Sequence, residues 1–262
     1  MAPGGVRLSA NTFELIWQYL RLGDLPTPLF VPPSEQRGTA GKVALDELGE
    51  QNLLTGRDEL NEELAGLLRV IAAPTDEFYG WFVRPDGSAF AGLVGVRQRR
   101  AALAVVDGDR VYLADVAPNT PAQALAGIAP RTRPVPAKSI TVPADEFALV
   151  PEPVGRHGEF STSRGVLDGG MSGGLDQDVT RLRELVAEPD RGRAQLFVAV
   201  RDRGGRRRKS VRPIYYLDTE AGRWLLHFSS RHGEAWLTAS SGSPEALIHA
   251  LYDTRRELIA AG

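Results

Sequence analysis

Cysteine is absent from the 262 residues, which excludes disulfides and any Cys-ligated zinc or iron–sulfur centre. Histidine is scarce: His157, His227, His232 and His249 are the four, at separations that match no metal-site spacing. Of 31 basic residues only Lys42, Lys138 and Lys209 are lysines. No apolar run reaches the about 20 residues needed to cross a bilayer, so no membrane insertion is expected. Met1–Ser9 has neither the basic start nor the apolar stretch of a signal peptide, so a cytoplasmic chain is expected. The net charge of −2 supplies no overall field for nucleic acid or an anionic surface. No phosphate loop, dinucleotide fingerprint or paired metal-ligand motif occurs, so neither cofactor nor metal is expected.

What the chain does have is a pattern that occurs twice. One unit runs from about Leu64 to Ile128, the other from about Val179 to Leu258. Each opens on an apolar helical stretch closed by proline, at Pro74 and Pro189, with apolar residues matched at Leu67/Leu182, Val70/Leu185 and Ile71/Val186. Four strand-like runs follow, then a helix start at Thr120-Pro121 or Ser243-Pro244. Units this long are not solenoid repeats. They predict two similar halves, about 1–150 and 175–262, in one domain spanning 1–262, joined by a flexible Gly-rich loop over 151–174.

Phe13, Ile16, Trp17 and Leu20 share one face of a helix capped by Ser9 or Asn11 and reaching about Leu22, with Gly23 as its stop. Leu25–Pro33 is expected to be extended, because proline disfavours helix at and before itself. Helices are predicted over Lys42–Glu50 and Leu60–Ala72, with Asp58 or Thr55 as the cap of the second, and a short one over Ala144–Val150. The predicted strands are Glu77–Arg84, Ala89–Val96, Ala101–Val106 and Arg110–Val116, then Arg193–Arg201, Val211–Asp218, Arg223–Ser229 and Glu234–Ala239. Turn signals such as Pro85-Asp86-Gly87 and Asp107-Gly108 separate them. A final helix begins at Pro244 behind Ser243 and buries Leu247, Ile248, Leu251 and Leu258.

Three motifs bear on function. Gly170-Met171-Ser172-Gly173-Gly174 fits G-x-S-x-G, and Asp218 and His249 follow in hydrolase order. A nucleophile elbow needs a buried strand before the serine and a helix after it, and the residues before Ser172 form no such strand. A serine hydrolase is therefore the alternative, and a mobile glycine loop is favoured. Arg201–Lys209, with Arg212, crowds seven cations around Asp202 at one hairpin tip. An acidic protein partner suits it better than nucleic acid, because no aromatics interleave with the cations; a solvated tip that blunts sheet pairing is the bland alternative. Trp17, Trp81, Trp224 and Trp236 suit core packing better than a binding surface, and His227 suits a hydrogen-bonded strand better than a ligand.

Trp17-Gln18-Tyr19-Leu20-Arg21-Leu22-Gly23-Asp24-Leu25-Pro26-Thr27-Pro28-Leu29 resembles the opening of the EspG family, the type VII (ESX) secretion-associated chaperones of actinobacteria. The helix before Pro74, Ser139-Ile140-Thr141-Val142-Pro143-Ala144-Asp145, the Asp202…Arg207 hairpin and Leu217-Asp218-Thr219-Glu220-Ala221-Gly222-Arg223-Trp224 fit in order. The resemblance implies an α+β fold: a central, mainly antiparallel sheet of two pseudo-two-fold-related halves, flanked by two α-helical bundles. It implies a cytosolic, non-enzymatic chaperone that binds the hydrophobic tip of a PE–PPE heterodimer and keeps it soluble for delivery. The implied contacts are the sheet face, a strand–strand loop and the C-terminal helical bundle. By chain order that loop is Arg84-Pro85-Asp86-Gly87-Ser88, giving Arg84, Asp86 and Ser88 as partner-binding residues, with Arg206, Arg207 and Arg208 as basic rim. The loop is short for the family, which leaves a WXG100-like helical client as an alternative; a regulatory partner within an ESX gene cluster and a homodimer are the other open readings.

Overall fold

A computed structural model of the chain describes residues 5–31, 40–56, 59–144, 175–187, 191–231 and 233–261. Eleven strands form one sheet in the order β1-β7-β6-β5-β4-β9-β11-β12-β13-β8, with β10 paired to β9 off this path. The strands are β1 (Val6–Ser9), β4 (Asp76–Val83), β5 (Ala89–Arg97), β6 (Arg100–Asp107), β7 (Arg110–Val116), β8 (Ile140–Pro143), β9 (Arg193–Arg201), β10 (Arg207–Lys209), β11 (Ile214–Thr219), β12 (Gly222–Arg231) and β13 (Glu234–Ser241); β2 (Leu54–Thr55) and β3 (Glu59–Leu60) make a separate hairpin. Every pairing between these strands is antiparallel.

The helices are α1 (Ala10–Tyr19), α2 (Ala40–Glu50), α3 (Glu62–Ala72), α4 (Pro121–Gly127), α5 (Leu175–Ala187) and α6 (Pro244–Ala260). The order helix, four-strand meander, helix therefore recurs, as α3–β4β5β6β7–α4 and α5–β9β11β12β13–α6, the second copy carrying β10 in addition. The meanders merge through β4 and β9, whose register runs from Asp76↔Val200 to Val83↔Arg193. At the middle of this seam Gly80 faces Leu196, and a Cβ there would stand 2.5 Å from the Gln195 carbonyl oxygen. Only glycine lets the two backbones approach so closely.

Side chains alternate between the faces. On one face α1, α2 and α3 bury Phe13, Trp17, Leu64, Leu68 and Ile71 against Tyr79, Leu93, Ala102, Leu113 and Phe197. On the same face, at the far end, Val179, Leu182 and Leu185 of α5 meet Val142, Tyr215, Trp224, Leu226 and Leu237. On the opposite face α4 and α6 cover Phe78, Phe82, Val94, Leu196, Val198, Ile214 and Tyr216. Arg255 of α6 adds a two-point contact to Asp76, at 3.1 Å for each bond.

Several local expectations shift. Ser9 is the first cap, its Oγ accepting from the Thr12 N–H. Glu47 then joins α2 to this cap, accepting from the Ser9 N–H at 2.7 Å and the Thr12 hydroxyl at 2.5 Å. The helix stops at Tyr19, and Arg21 (φ 51°) takes the left-handed position at its end, two residues before Gly23 (φ 82°): the N–H groups of Arg21 and Leu22 return to the carbonyls of Gln18 and Trp17. Asn61 caps α3 instead of Asp58 or Thr55, because its side chain reaches the Leu64 N–H. Residues 26–30 turn rather than extend: the Thr27–Pro28 bond is cis and the Leu29 N–H donates to the Pro26 carbonyl at 2.7 Å. β11 begins at Ile214 rather than Val211, since Pro213 cannot donate to a ladder. The residues expected as a helix after Ala144, and the Gly-rich segment with Ser172, lie outside the described residues.

Candidate binding surface

The helices on the first face pack on β5–β7 at one end and on β8 at the other. Between them lie β4, β9 and β11. Their residues on this face are Glu77, Tyr79, Trp81 and Val83; Arg193, Gln195, Phe197 and Ala199; and Tyr215 and Leu217. Trp81, Val83, Arg193 and Leu217 are only partly buried. The Tyr79 and Phe197 rings stack at 5.6 Å, and Trp81 stands edge-on to both at 5.9 Å. An indole fixed by two rings yet partly open to solvent is a pre-ordered apolar anchor.

One end of this face is cationic. The Arg207 guanidinium donates to both Glu77 oxygens, from Nε at 2.8 Å and from Nη2 at 2.6 Å, and lies 5.7 Å from the Tyr79 ring centre. Glu77 is 3% exposed, a carboxylate buried in an apolar strand. Hydrogen bonding to Glu77 raises the Arg207 pKa further above its ordinary range. Burial raises the Tyr79 pKa, against the pull of Arg207. Lys209 sits 4.5 Å over the Phe197 ring, its pKa lowered by burial and by Arg207.

The candidate residues do not form one rim. Because β4 and β9 run antiparallel, the Arg84–Ser88 turn follows Val83 at one end, while the Asp202–Arg206 turn follows Arg201 at the other. The strand length between them is about 25 Å. Arg84 is a structural residue as well as a surface one: it grips Asp107 at 3.1 and 2.6 Å and stacks 4.3 Å over Phe90. Asp86 accepts from the N–H and hydroxyl of Ser88, which orders the turn and lowers its pKa. Arg206 is exposed and Arg208 partly so. Arg207 departs from the expectation of a free tip, since it folds back onto the sheet. Asp202 is also spent locally, accepting from the N–H groups of Gly204 and Arg206.

The hydrolase partners separate too. Asp218 is held by Arg223 at 2.6 and 2.7 Å and by the Thr132 hydroxyl at 2.8 Å, while His249 on α6 faces Asp253 at 3.4 Å. Among the described residues no group of three or more His, Cys, Asp and Glu could hold a metal, and no helix is long and apolar enough to cross a membrane. Trp17 and Trp224 are buried as expected. Trp236 is only partly buried, as is Trp81, which the sequence pattern places in the core; neither Trp81 nor Glu77 is among the expected site residues. Their signal was a lone carboxylate and an indole on the same side of the alternating run Glu77-Phe78-Tyr79-Gly80-Trp81.

These features define an α+β scaffold whose sheet offers an aromatic face bounded by helices and a basic hairpin. Residues 9–253 match the model of the EspG family, and the chain belongs to that family. A search of curated proteins finds no match. Among solved structures, the fold is similar to that of the Mycobacterium tuberculosis type VII secretion system chaperone EspG5, determined in complex with the PE25–PPE41 dimer. The TM-score is 0.67 at 17% identity, covering 95% of this chain and 96% of that one.

Proposed function

We propose that the protein is a cytosolic, non-enzymatic chaperone of type VII secretion that seats the apolar tip of a helical PE–PPE-like client on the face formed by β4, β9 and β11 and keeps it soluble. The observation that carries this reading is Trp81, held by Tyr79 and Phe197 yet only partly buried between α1–α3 and α5. Family membership supports it, as does the client in the complex of the similar EspG5. Arg84, Asp86 and Ser88 form one rim and Arg206 and Arg208 the other, where charges tune encounter and partner choice. A WXG100-like hairpin is the second client class. We also propose a single domain over 1–262 whose halves are pseudo-repeats; superposing 64–128 on 179–258 tests that part.

The test is co-expression with the PE–PPE pairs and the WXG100 proteins of the same host. One should copurify as a stoichiometric complex and stay soluble only with this chain. Trp81→Glu should abolish the complex while leaving the circular dichroism spectrum unchanged. Binding that survives Trp81→Glu removes the client from this face, and no complex with any helical client defeats the chaperone reading.

A further inference from the structure

β9 is paired on its outer side by β11 over Arg193–Leu196 and by β10 over Ala199–Arg201. The four residues from Ser210 to Pro213 stand opposite only Phe197 and Val198, so the chain bulges away from the sheet here. Ser210 repairs the ladder: its N–H donates to the Val198 carbonyl at 2.8 Å, and its Oγ accepts from the Val198 N–H at 3.3 Å. The bulge carries Val211 outward at 92% exposure.

Among the described residues the bulge leaves two strand edges without a partner strand. β11 covers β12 only from Gly222 to Leu226, and among the described strands Phe228–Arg231 of β12 pair on the β13 side alone. Among the described strands β10 pairs with β9 alone. In β10 the Arg206 carbonyl and the Ser210 N–H are turned toward β9. By alternation the N–H and C=O groups of Arg207 and Lys209 point away from it, into the notch between β10 and β12. Arg212 reaches across that notch to sit 4.7 Å over the Phe228 ring.

The notch is strongly positive in a chain of net charge −2. Glu77 is engaged by Arg207, and Asp202 by backbone N–H groups. Arg206 and Arg208 project to one side of β10 and Arg207 and Lys209 to the other. A cationic edge ordinarily serves to repel other strands. Among the described residues Arg206 and Arg208 have no carboxylate partner, and an edge carrying such cations repels basic strands but attracts acidic ones.

We propose that the outer edges of β10 and of β12 beyond His227 form a docking notch that takes an acidic, extended segment of a partner protein as an added strand. Main-chain bonds to Arg207 and Lys209 give the pairing, carboxylates on alternate residues meet the arginines, and Val211 and Phe228 supply apolar contact. The inference shares Arg206 and Arg208 with the rim of the client face, but it needs no helical tip, and the peptide probe tests it without any client.

The experiment is fluorescence anisotropy with the full chain and a labelled nine-residue peptide of alternating Glu and Val. The comparison probes are the same peptide N-methylated at alternate backbone nitrogens and a single-stranded oligonucleotide. Saturable peptide binding is expected, weakening with salt and falling at least about tenfold in Arg206→Glu/Arg208→Glu. The N-methylated peptide, which needs no change to the protein, should bind at least about tenfold more weakly. Absence of binding at low salt overturns the proposal. Equal affinity for the N-methylated peptide overturns it as well, because pure charge attraction would then suffice. Tighter oligonucleotide binding, lost in the same double variant, would assign the notch to nucleic acid instead.

Discussion

Arg207 and Glu77, 130 residues apart in sequence, form a two-point ion pair on the central sheet face, with the guanidinium against the Tyr79 ring. The pair locks β10 of the second half to β4 of the first, and it splits three neighbouring arginines into different roles.

Arg207→Gln removes the charge that neutralises a carboxylate only 3% exposed. A loss of about 2–3 kcal/mol in urea unfolding is expected, below the range for fully buried pairs because the Arg207 side chain is 32% exposed. Arg206→Glu and Arg208→Glu should each change stability by less than about 0.5 kcal/mol. Reversing all three together therefore tests packing and surface charge at once, and an equal cost at all three positions would show that the Glu77 contact contributes nothing.

Asp218 and Arg223 form the most deeply buried ion pair among the described residues, with side chains 5% and 8% exposed, and Arg223 also binds the Pro130 carbonyl and stacks 3.8 Å over Tyr216. Asp218→Ala should cost about 3–5 kcal/mol by stranding the guanidinium. The double variant Asp218→Ala/Arg223→Met should recover part of that loss. A double-mutant cycle with no coupling would show that the pair does not hold residues 130–135 on the sheet.

Alkaline pH should unfold the protein through its buried tyrosines. Burial raises the pKa of Tyr79, of Tyr215 to about 12, and of Tyr216. Their stabilising contribution is complete below the unfolded value near 10 and is lost as pH rises toward the folded values, because the unfolded chain then binds fewer protons. Lys209, with its lowered pKa, works in the opposite sense. Unfolding free energy should stay level from about pH 8 to 9.5 and fall between about pH 10 and 12. Tyr215→Phe should flatten the fall; an unchanged slope would place the titration elsewhere.

Ser172→Ala should leave stability and client binding unaltered, and a fluorophosphonate probe should not label the wild type. Asp218 is committed to Arg223 and His249 to Asp253. Stoichiometric labelling at Ser172 would reinstate the hydrolase reading.

The strand runs of both meanders were legible because β-structure writes itself locally. Alternating apolar residues between turn signals place Arg110–Val116 and Arg193–Arg201 at the bounds observed. The Ser243 cap and Pro244 start of α6 are likewise local, and the Ala246 N–H confirms the cap. The opening Trp17–Leu29 segment and the later landmarks carried the family. What no local pattern holds is which strand lies beside which. The meeting of β4 with β9, the addition of β1 and β8 at the two edges, and the open face between α3 and α5 follow from long-range pairing energies and from Gly80 at the seam. The same holds for charge. The sequence by itself determined that seven cations crowd one hairpin. Only the tertiary structure decided that Arg207 is bound inward, since a carboxylate buried 130 residues away is costly unless a cation reaches it.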